Sequence, residues 1–576
     1  MVSNRKIKGY TSHQKGALLG LLVLFVWCLF VFWFHLTTPA GADMFEMTYV
    51  GALAIIFLLL LPLYLRRIHW AYLGGILAVF AMLAGAIKAT LDKSFIFSWS
   101  FYNLTVFLVY VVALAVIYFS FFSYRELVAI GGKRTFPDII FFILLVVLIA
   151  TVLWFNQDLI QRSMWQLTLN RIDSKLQDLE TLDEKIRLLV NEGDLNSLTA
   201  GIVVKDSLVW GRAYGEAELN SIYNIGSITK PFVATAIMQL YERDLIDLEV
   251  DASQYLPFIL RHPLYPEQPI TIRMLLTHQS GLAHFTDSYM SYHMDKKTAD
   301  WLVNKQGWHL PEYDTYPSFA EFIKDYLIPE GAYYTTGCWT EDKPGAFYSY
   351  STVGYDILAY LVECVTGETF IEYAQSNIFD PLEMQRTGFD VNKFKGEMAL
   401  PFERVYNVLN KTNVELPIAN VRTIGGGGML STVPDLAQFM IAHMNHGQVD
   451  DYLLLKPETV LIMHKTAVTF PPGRGDLNQV SCGLGIGHIR KEPWNCWGHL
   501  YDMHGAKGHG GSWFGYLSQM WFVEEEQNTY GVILLTNTEF DFKAEARDLW
   551  NFSSPLKLLV LLMEEAQNMA KQKTNT

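Results

Sequence analysis

A serine followed three residues later by a lysine is the pattern in this sequence that could form a nucleophile. On a helix both side chains lie on one face, one turn apart. The lysine can then hold the hydroxyl and help remove its proton. The pattern occurs at Ser3/Lys6, Ser12/Lys15, Ser227/Lys230 and Ser554/Lys557. Because the spacing recurs, the neighbouring residues must distinguish the four pairs.

The surroundings of Ser227 suit an active site. Gly226 lets a substrate approach the backbone, and after Lys230 and Pro231 the apolar run 232–240 predicts a buried helix. The N–H of Ser227 at the start of that helix can face a negatively charged oxygen. The first two pairs lie in a basic tail, and a proline separates the members of the fourth. We predict that Ser227 is the nucleophile and Lys230 its partner.

The stretch Tyr223–Leu256, which begins YNIGSITKPFVATAIMQL, resembles the serine β-lactamase-like superfamily, in particular its branch of class C β-lactamases, D-aminopeptidases and esterases. Four further segments resemble the family in the family's order: residues 200–218, TIRMLLTHQSGL at 271–282, GGGGMLSTVPDL at 425–436, and KGHGGSWFGYL at 507–517. The resemblance covers about residues 195–570 and implies an α+β fold, in which an antiparallel sheet is flanked by helices and joined by a helical subdomain.

The second motif of the family is a tyrosine with an asparagine two residues later. Here FYSYSTVGYDIL at 347–358 places Tyr350 at the tyrosine position and Thr352 at the asparagine position. The resemblance implies that Tyr350 shares the proton transfer with Lys230, and Tyr348 is the alternative base. Threonine is a departure where the family's amide holds the substrate carbonyl, since it offers one hydroxyl and a shorter reach. The substrate preference therefore stays open.

The third motif reads His509-Gly510-Gly511-Ser512, where true β-lactamases and transpeptidases begin with lysine. Glycine is needed because substrate lies along this strand edge with little room for a Cβ. The resemblance implies that His509 and Gly511 line the substrate site and that the N–H groups of Ser512 and Ser227 stabilise the tetrahedral oxygen. The histidine variant is common among esterases and D-peptidases, and it argues against a dedicated penicillin-degrading enzyme.

The implied reaction is acyl transfer without a metal or cofactor. Ser227 attacks an amide or ester carbonyl, Lys230 and Tyr350 move the protons, and water frees the acyl-enzyme. No H-E-x-x-H, C-x-x-C or Walker pattern is present. The Gly425–Gly428 run lacks a following lysine, so it favours close backbone packing over a phosphate loop. A disulfide between Cys482 and Cys496 and free thiols are both open.

Charge is divided unevenly along the 576 residues. Residues 1–156 hold 11 of the 44 Lys and Arg and 5 of the 58 Asp and Glu, so 11 − 5 = +6. The remainder holds 33 and 53, so 33 − 53 = −20. The acidic segment after residue 156 is long enough for a catalytic domain, and its negative charge argues against nucleic-acid binding, which needs a basic surface to neutralise phosphate.

The first 156 residues contain five apolar runs of about 17–22 residues, which predict a transmembrane domain of five helices. The runs are Ala17–Leu36, Met47–Leu65, Trp70–Ile87, Phe101–Phe122 and Ile139–Phe155. Lys and Arg in the flanking segments number 4, 0, 2, 2 and 3, which favours a cytoplasmic N-terminus. An odd number of crossings then puts the rest on the periplasmic or extracellular side of a plasma or bacterial inner membrane.

Residues 157–196 are charged and keep an apolar stripe from Ile172 to Leu189, which predicts an amphipathic connector helix. It either packs on the next domain or makes a short coiled-coil dimer contact, and the oligomeric state stays open. In the domain at 197–571, strands at 199–205, 207–214, 517–523 and 530–536 predict two hairpins, and Pro555–Ala570 predicts a closing helix. We expect one sheet built from both ends of this domain.

These features together predict a hydrolase held at a lipid bilayer and acting outside the cytoplasm on a small-molecule, peptide or ester substrate. A penicillin-binding protein or β-lactamase is the second enzyme hypothesis. A covalent membrane sensor of β-lactam type is the third, and the lack of a metalloprotease motif weakens it. Few charges lie inside the apolar runs, which also weakens a transporter role for the five helices.

Overall fold

In the computed structural model the chain divides into two units, Met1–Arg162 and Ser163–Thr576. The structure describes residues 12, 14–15, 17–19, 22, 122, 174–284, 286–293, 296–301, 304, 318–406, 411–465, 467–469, 481–482, 487–488, 505–525, 528–539 and 549–575. The five predicted membrane spans and the first part of the connector therefore lie almost wholly outside the described residues. Within these ranges, no helix has the length and apolarity needed to cross a membrane.

The described part of the second unit combines helices with strands that pair antiparallel, apart from one parallel pair between Thr538–Glu539 and Phe402–Tyr406. Its helices are α1 (Leu182–Glu192), α2 (Thr229–Glu242), α3 (Ile272–Leu276), α4 (Asp287–His293), α5 (Lys296–Trp301), α6 (Phe319–Leu327), α7 (Thr352–Thr366), α8 (Phe370–Ala374), α9 (Val433–Met444), α10 (Pro457–His464) and α11 (Leu549–Asn575). Its strands are β1 (Ser197–Val204), β2 (Ser207–Gly215), β3 (Tyr223–Asn224), β4 (Phe402–Tyr406), β5 (Lys411–Glu415), β6 (Leu430–Ser431), β7 (Gln448–Val449), β8 (Tyr452–Leu453), β9 (Val468–Thr469), β10 (Ser481–Cys482), β11 (Gly487–His488), β12 (Lys507–Trp513), β13 (Tyr516–Val523), β14 (Tyr530–Thr536) and β15 (Thr538–Glu539).

The largest sheet has eight strands in the order β2-β1-β14-β13-β12-β11-β10-β9. Both predicted hairpins, β1–β2 and β13–β14, are confirmed. Strand β1 pairs antiparallel with β14, with Ala200 opposite Leu534. The expectation of one sheet built from both ends of the domain is therefore confirmed.

The sheet separates two hydrophobic cores. On β14, Ile533 and Leu535 belong to the larger core with helix α2, whereas Val532 and Leu534 belong to the smaller core with α11. Side chains alternate between the two faces of a strand, so a strand covered on both faces must be apolar throughout. This explains why every residue of β14 is buried.

Helices α1 and α11 cover the face of the smaller core. Ile186 and Leu189 of α1 are fully buried in the same cluster as Leu558 and Leu562 of α11. The connector therefore packs on the domain, and these positions of its stripe are not available to a coiled-coil partner. The closing helix spans more than the predicted range, and it includes Pro555–Ala570.

The prediction of one connector helix through 157–196 is wrong at residues 178–181, where the chain leaves the helical conformation. Thr181 caps a new helix: its side chain accepts from the N–H of Glu184, and the Glu184 carboxylate accepts from the N–H of Thr181. This capping box satisfies N–H groups that a helix start leaves without partners. The apolar stripe continues across the break because the residues on both sides face the domain.

A chain of buried polar side chains links three helices to the sheet. His443 of α9 has Nε2 3.2 Å from Thr235 Oγ1 and Nδ1 3.1 Å from His464 Nε2. Nδ1 of His464 lies 2.8 Å from a carboxylate oxygen of Glu524. Burial, reinforced by the charge of His464, lowers the pKa of His443 to about 3. The folded state therefore holds His443 neutral.

We expect this histidine to make folding stability depend on pH. An unfolded histidine has a pKa of about 6.5, so below that pH the unfolded chain binds a proton that the folded chain rejects. The His443 contribution is full above pH 6.5 and is lost as the pH falls, by about 2 kcal/mol between pH 7 and pH 5. Urea denaturation of wild type and His443→Gln at both pH values measures the slope.

The variant should lose that part of the slope, whatever its absolute stability. His446→Asn is the matched control, because His446 is exposed just beyond α9 and its backbone φ of 54° suits asparagine. Equal pH slopes in wild type and His443→Gln would refute the assignment.

Candidate active site

Ser227 lies in a single 3-10 turn, Gly226–Ile228, that leads directly into α2. Every other residue from 222 to 240 is buried, whereas Ser227 is half-buried. The side chain of Asn224 accepts from the N–H of Gly226 at 2.8 Å and so shapes the turn. The most exposed residue of this segment is therefore the predicted nucleophile.

The same turn lies against strand β12. Gly226 has φ +51°, and a Cβ on it would come 2.7 Å from the backbone nitrogen of Ser512. The hydroxyl of Ser518 donates to the carbonyl of Ile225 at 2.8 Å and holds the turn to the sheet. Glycine is required here by both conformation and space. The tertiary structure thus brings the backbone of Ser512 beside the Ser227 turn.

Lys230 is completely buried on the first turn of α2. Its Nζ donates to Ser227 Oγ at 3.0 Å and to the carbonyl of Gly426 at 2.5 Å. The ring centroid of Tyr350 lies 4.9 Å from Nζ and that of Tyr355 5.8 Å. A buried ammonium is costly unless it is hydrogen-bonded, and these oxygens and ring faces satisfy it. The lysine is placed to exchange a proton with the serine.

Tyr350 lies two residues before the start of α7 and packs on His278, a residue to which the sequence assigned no role. The two ring centroids are 4.4 Å apart. Nδ1 of His278 accepts from the N–H of Ser351 at 3.0 Å, and its carbonyl accepts from the N–H of Ser349 at 2.7 Å. Burial holds the pKa of His278 well below its usual range, so the ring is neutral and can accept. His278 therefore fixes the backbone on both sides of Tyr350.

The alternative base, Tyr348, packs on the same histidine with a ring separation of 5.4 Å. The ring contacts of Lys230 described above involve Tyr350 and Tyr355. Lys230 thus contacts the ring of Tyr350, and the choice between Tyr350 and Tyr348 as the base stays a prediction.

Asp356 of α7 is a second residue that the sequence did not single out. One oxygen of its buried carboxylate accepts from the N–H groups of Gly425 at 2.7 Å and Gly426 at 2.9 Å, and the Tyr289 hydroxyl donates to the other. The carbonyl of Gly426 accepts in turn from Lys230. Burial raises the pKa of Asp356 to about 7. Asp356 thus holds the backbone of Gly426, whose carbonyl contacts Lys230.

The glycine run that contains these residues packs tightly on α7. A Cβ on Gly425 would lie 2.4 Å from the carbonyl oxygen of Tyr355, and one on Gly426 would lie 2.2 Å from the methyl carbon of Thr352. Such contacts leave no room for any other residue. The run therefore makes the close backbone packing expected from the sequence.

Strand β12 carries His509, Gly511 and Ser512. A Cβ on Gly511 would lie 2.0 Å from the carbonyl oxygen of Ile225, which excludes any side chain at this position. The ring of His509 lies 6.3 Å from that of Tyr350. Burial, reinforced by the charge of Lys230, lowers the pKa of His509 to about 4. At neutral pH the His509 imidazole is therefore uncharged, whereas the lysine that begins this motif in true β-lactamases and transpeptidases is a cation.

Thr352 begins α7 and is buried. Its Oγ1 lies 3.1 Å from Nδ1 of His284. The structure thus pairs this residue with a histidine that the sequence did not single out. The sequence held one signal for His284: it follows the family-like segment 271–282 by two residues.

A sequence model described as Beta-lactamase matches residues 182–552, which is more than half of the 576-residue chain. The chain belongs to the beta-lactamase family. This membership accounts for the order of the segments that contain Ser227, Tyr350 and His509. It also confirms the coarse expectation of a serine β-lactamase-like superfamily, whereas the membrane domain before it stays a prediction.

Two relatives and one solved structure show what this chain is similar to. The serine beta-lactamase-like protein LACTB, mitochondrial, of Homo sapiens is 26% identical over 345 residues, which cover 50% of this chain and 61% of that protein. The lovastatin esterase of Penicillium rubens is 24% identical over 400 residues, 61% of this chain and 91% of the esterase. This chain therefore aligns with about three fifths of the human protein's length.

The octameric penicillin-binding protein homologue from Pyrococcus abyssi aligns with a TM-score of 0.50 and 23% identity, over 62% of this chain and 73% of that one. At this identity the likeness establishes the fold, and the expected β-lactamase/transpeptidase-like fold is confirmed. The octamer is a property of that protein, and the oligomeric state of this chain stays open.

In the part of the chain that the structure describes, no group of three or more His, Cys, Asp or Glu residues could hold a metal ion. Cys338 and Cys364 are free thiols. The pairing of Cys482 with Cys496 lies outside the described side chains and stays a prediction.

Proposed function

We propose that this chain is a serine hydrolase that cleaves ester or amide bonds through an acyl-enzyme on Ser227. The observation that carries the proposal is the contact of 3.0 Å between Lys230 Nζ and Ser227 Oγ, at the one half-buried residue of a buried segment. Hydrolase relatives such as the lovastatin esterase support this reaction class.

The proposed reaction has two halves. Ser227 Oγ attacks the carbonyl carbon, its proton passes to the amine form of Lys230 or to the phenolate form of Tyr350, and the leaving alcohol or amine takes that proton as its bond to the carbonyl breaks. Water then attacks the acyl-enzyme, which releases the acid and restores the serine hydroxyl. The N–H groups of Ser227 and Ser512 would stabilise the oxyanion in both halves, and removing one such donor typically costs about 10²–10³ in kcat.

The proposed substrate is an ester or a peptide-like amide rather than a penicillin. This choice rests on His509, which is neutral at pH 7 where penicillin-degrading relatives would present a cation to the carboxylate of the drug. Lys230 Nζ lies 4.9 Å from the ring centroid of Tyr350, so the two groups to which the proposal assigns proton transfer are neighbours.

The proposed location is the outer face of a membrane, with residues 1–156 as the anchor. This part of the proposal rests on the five apolar runs and the distribution of Lys and Arg. Protease added to intact spheroplasts should then trim the 197–571 domain, and full protection of that domain would refute the location.

The decisive assay compares three substrates of the full-length protein: p-nitrophenyl acetate, a D-alanyl p-nitroanilide and a chromogenic cephalosporin. We expect repeated turnover of the ester or the anilide. Release of only one equivalent per chain would instead indicate a covalent sensor. Preferential turnover of the cephalosporin would indicate a β-lactamase, and no release from any substrate would refute the proposed hydrolase.

A further inference from the structure

Asp356 of α7 places a carboxylate in the core beside the proposed catalytic groups, where it is only 3% exposed. One of its oxygens accepts from the N–H groups of Gly425 and Gly426, and the other accepts from the hydroxyl of Tyr289. An ionised carboxylate accepts on both oxygens and donates on neither, so this set of donors matches the charged form. A buried charge is costly unless hydrogen bonds and an opposite charge compensate it.

Lys230 provides the opposite charge in this part of the core. Burial raises the pKa of Asp356, whereas the N–H groups of the glycine run and the ammonium of Lys230 act against that rise. The oxygens that Lys230 contacts directly, Ser227 Oγ and the carbonyl of Gly426, are both neutral. The two charged side chains therefore meet on one backbone residue: the N–H of Gly426 donates to Asp356, and its carbonyl accepts from Lys230.

Close packing on two sides makes the glycine run a stiff link. A Cβ on Gly426 would lie 2.2 Å from the methyl carbon of Thr352, so this residue has no space to move towards α7. A Cβ on Gly427 would lie 3.5 Å from the carbonyl carbon of Gly226, in the turn of the predicted nucleophile. The run is thus held between α7 and that turn, and the hydrogen bonds to Asp356 fix the backbone whose carbonyl faces the lysine.

We infer that Asp356 is a positioning residue of the hydrolase, and that its carboxylate acts through the backbone of Gly426 to hold Lys230 in place. Nζ of Lys230 then stays 3.0 Å from Ser227 Oγ. The inference rests on the proposed function and adds a residue that touches neither the substrate nor the reacting atoms. Loss of the charge weakens the bonds to the glycine run, because hydrogen bonds to a charged acceptor contribute more than neutral ones. A misplacement of about 1 Å in a reacting group can cost about 10²-fold in rate.

The test is a double-mutant cycle of Asp356→Asn and Lys230→Met in the full-length protein, with p-nitrophenyl acetate as the substrate. Asparagine keeps the shape of the side chain and one accepting oxygen, but it lacks the charge. The readouts are kcat, KM and the rate constant of Ser227 labelling by a fluorophosphonate. Each rate is divided by the folded fraction measured by circular dichroism, so that a loss of stability alone does not change it.

Asp435→Asn in α9 is the matched control. The carboxylate of Asp435 is also buried, and it accepts from the N–H of Arg386 and the hydroxyl of Thr387 at 2.8 Å each. These partners lie outside the glycine run and the turn of Ser227, so loss of this charge should change stability and leave kcat near that of wild type. The control separates the loss of a buried charge in general from the loss of the charge at Asp356.

We expect Asp356→Asn to lower kcat and the labelling rate about 10-fold with KM nearly unchanged, because Lys230 is misplaced and no substrate contact is lost. In the Lys230→Met background the same change should lower neither rate further, since the group that Asp356 positions is absent. Tyr289→Phe is the second variant if Asp356→Asn does not fold. It removes one donor from the carboxylate and keeps the ring, so it should lower kcat by a smaller factor, and only when Lys230 is present.

An equal loss of kcat from Asp356→Asn in both backgrounds would overturn the inference, because Asp356 would then act independently of Lys230. Wild-type kcat and labelling in Asp356→Asn, or in Tyr289→Phe where only that variant folds, would overturn it as well. These results leave the hydrolase proposal standing. Absence of turnover in wild type, together with no labelling of Ser227, would overturn the hydrolase proposal and this inference with it.

Discussion

Ser227→Ala is expected to lower kcat for ester hydrolysis by at least about 10³-fold and to abolish labelling by a fluorophosphonate probe. Alanine removes the hydroxyl oxygen that would form the acyl-enzyme, while the buried residues around it stay in place. The residual rate should come from the backbone N–H groups of residues 227 and 512, which would still polarise the substrate carbonyl. Steady-state kinetics and mass spectrometry of the labelled protein measure the two effects.

Ser207→Ala is the matched control for this change. Ser207 is the first residue of β2, at the outer edge of the sheet, where its hydroxyl donates to Asp206. Labelling and kcat of this control should match wild type. Equal labelling of Ser227→Ala and wild type would show that another residue is the nucleophile, and the acyl-enzyme mechanism on Ser227 would be wrong.

Lys230→Met is expected to lower kcat by about 10²–10⁴-fold, the usual contribution of a positioned acid or base. Methionine has a similar length but cannot take the serine proton. The protein should stay folded, because replacing a buried ion by an apolar side chain of similar size is often tolerated. The carbonyl of Gly426 loses a donor, which we expect to cost about 1–3 kcal/mol of unfolding free energy. Urea denaturation measures that cost.

The pKa values of the surrounding histidines give a second readout for Lys230→Met. The ammonium of Lys230 contributes to the low pKa of His278, His284 and His509. Removing a like charge favours the protonated imidazole, so these pKa values should rise in Lys230→Met. Histidine NMR titration would detect the shift even in the absence of a substrate.

Lys230→Arg tests whether charge alone is sufficient. Arginine keeps the charge, but its planar guanidinium cannot replace a compact ammonium or act as a base. We expect its kcat to resemble that of Lys230→Met while the histidine pKa values stay low. A kcat of Lys230→Met within 10-fold of wild type would contradict the role of this lysine.

Local features could be predicted from the sequence because neighbouring residues determine them. The spacing of Ser227 and Lys230 brings their side chains together through the geometry of a single helical turn. The residue pattern of the strands and the turn residues between them likewise indicated both hairpins. Thr181 and Glu184 also fit the sequence pattern of a capping box, which marks a helix start. The apolar stripe that continues through them nevertheless led to the prediction of a single helix.

The contacts that complete the site join distant parts of the chain. Thr352 and His284 are 68 residues apart, and Asp356 and Gly425 are 69. No spacing rule relates such positions, because their proximity depends on how α7, the glycine run and β12 pack around α2. The contacts of His278, His284 and Asp356 therefore emerged only from the folded chain.

The sequence by itself indicated the predicted nucleophile pair, the order of the family segments and the sheet built from both ends of the domain. Covalent geometry and side-chain periodicity act over a few residues, and they are sufficient for those features. The tertiary structure alone decided that Lys230 is buried against Gly426, that Asp356 holds that glycine, and that Thr352 contacts an exposed imidazole. These features arise from close packing, in which the space left by one residue determines the orientation of another.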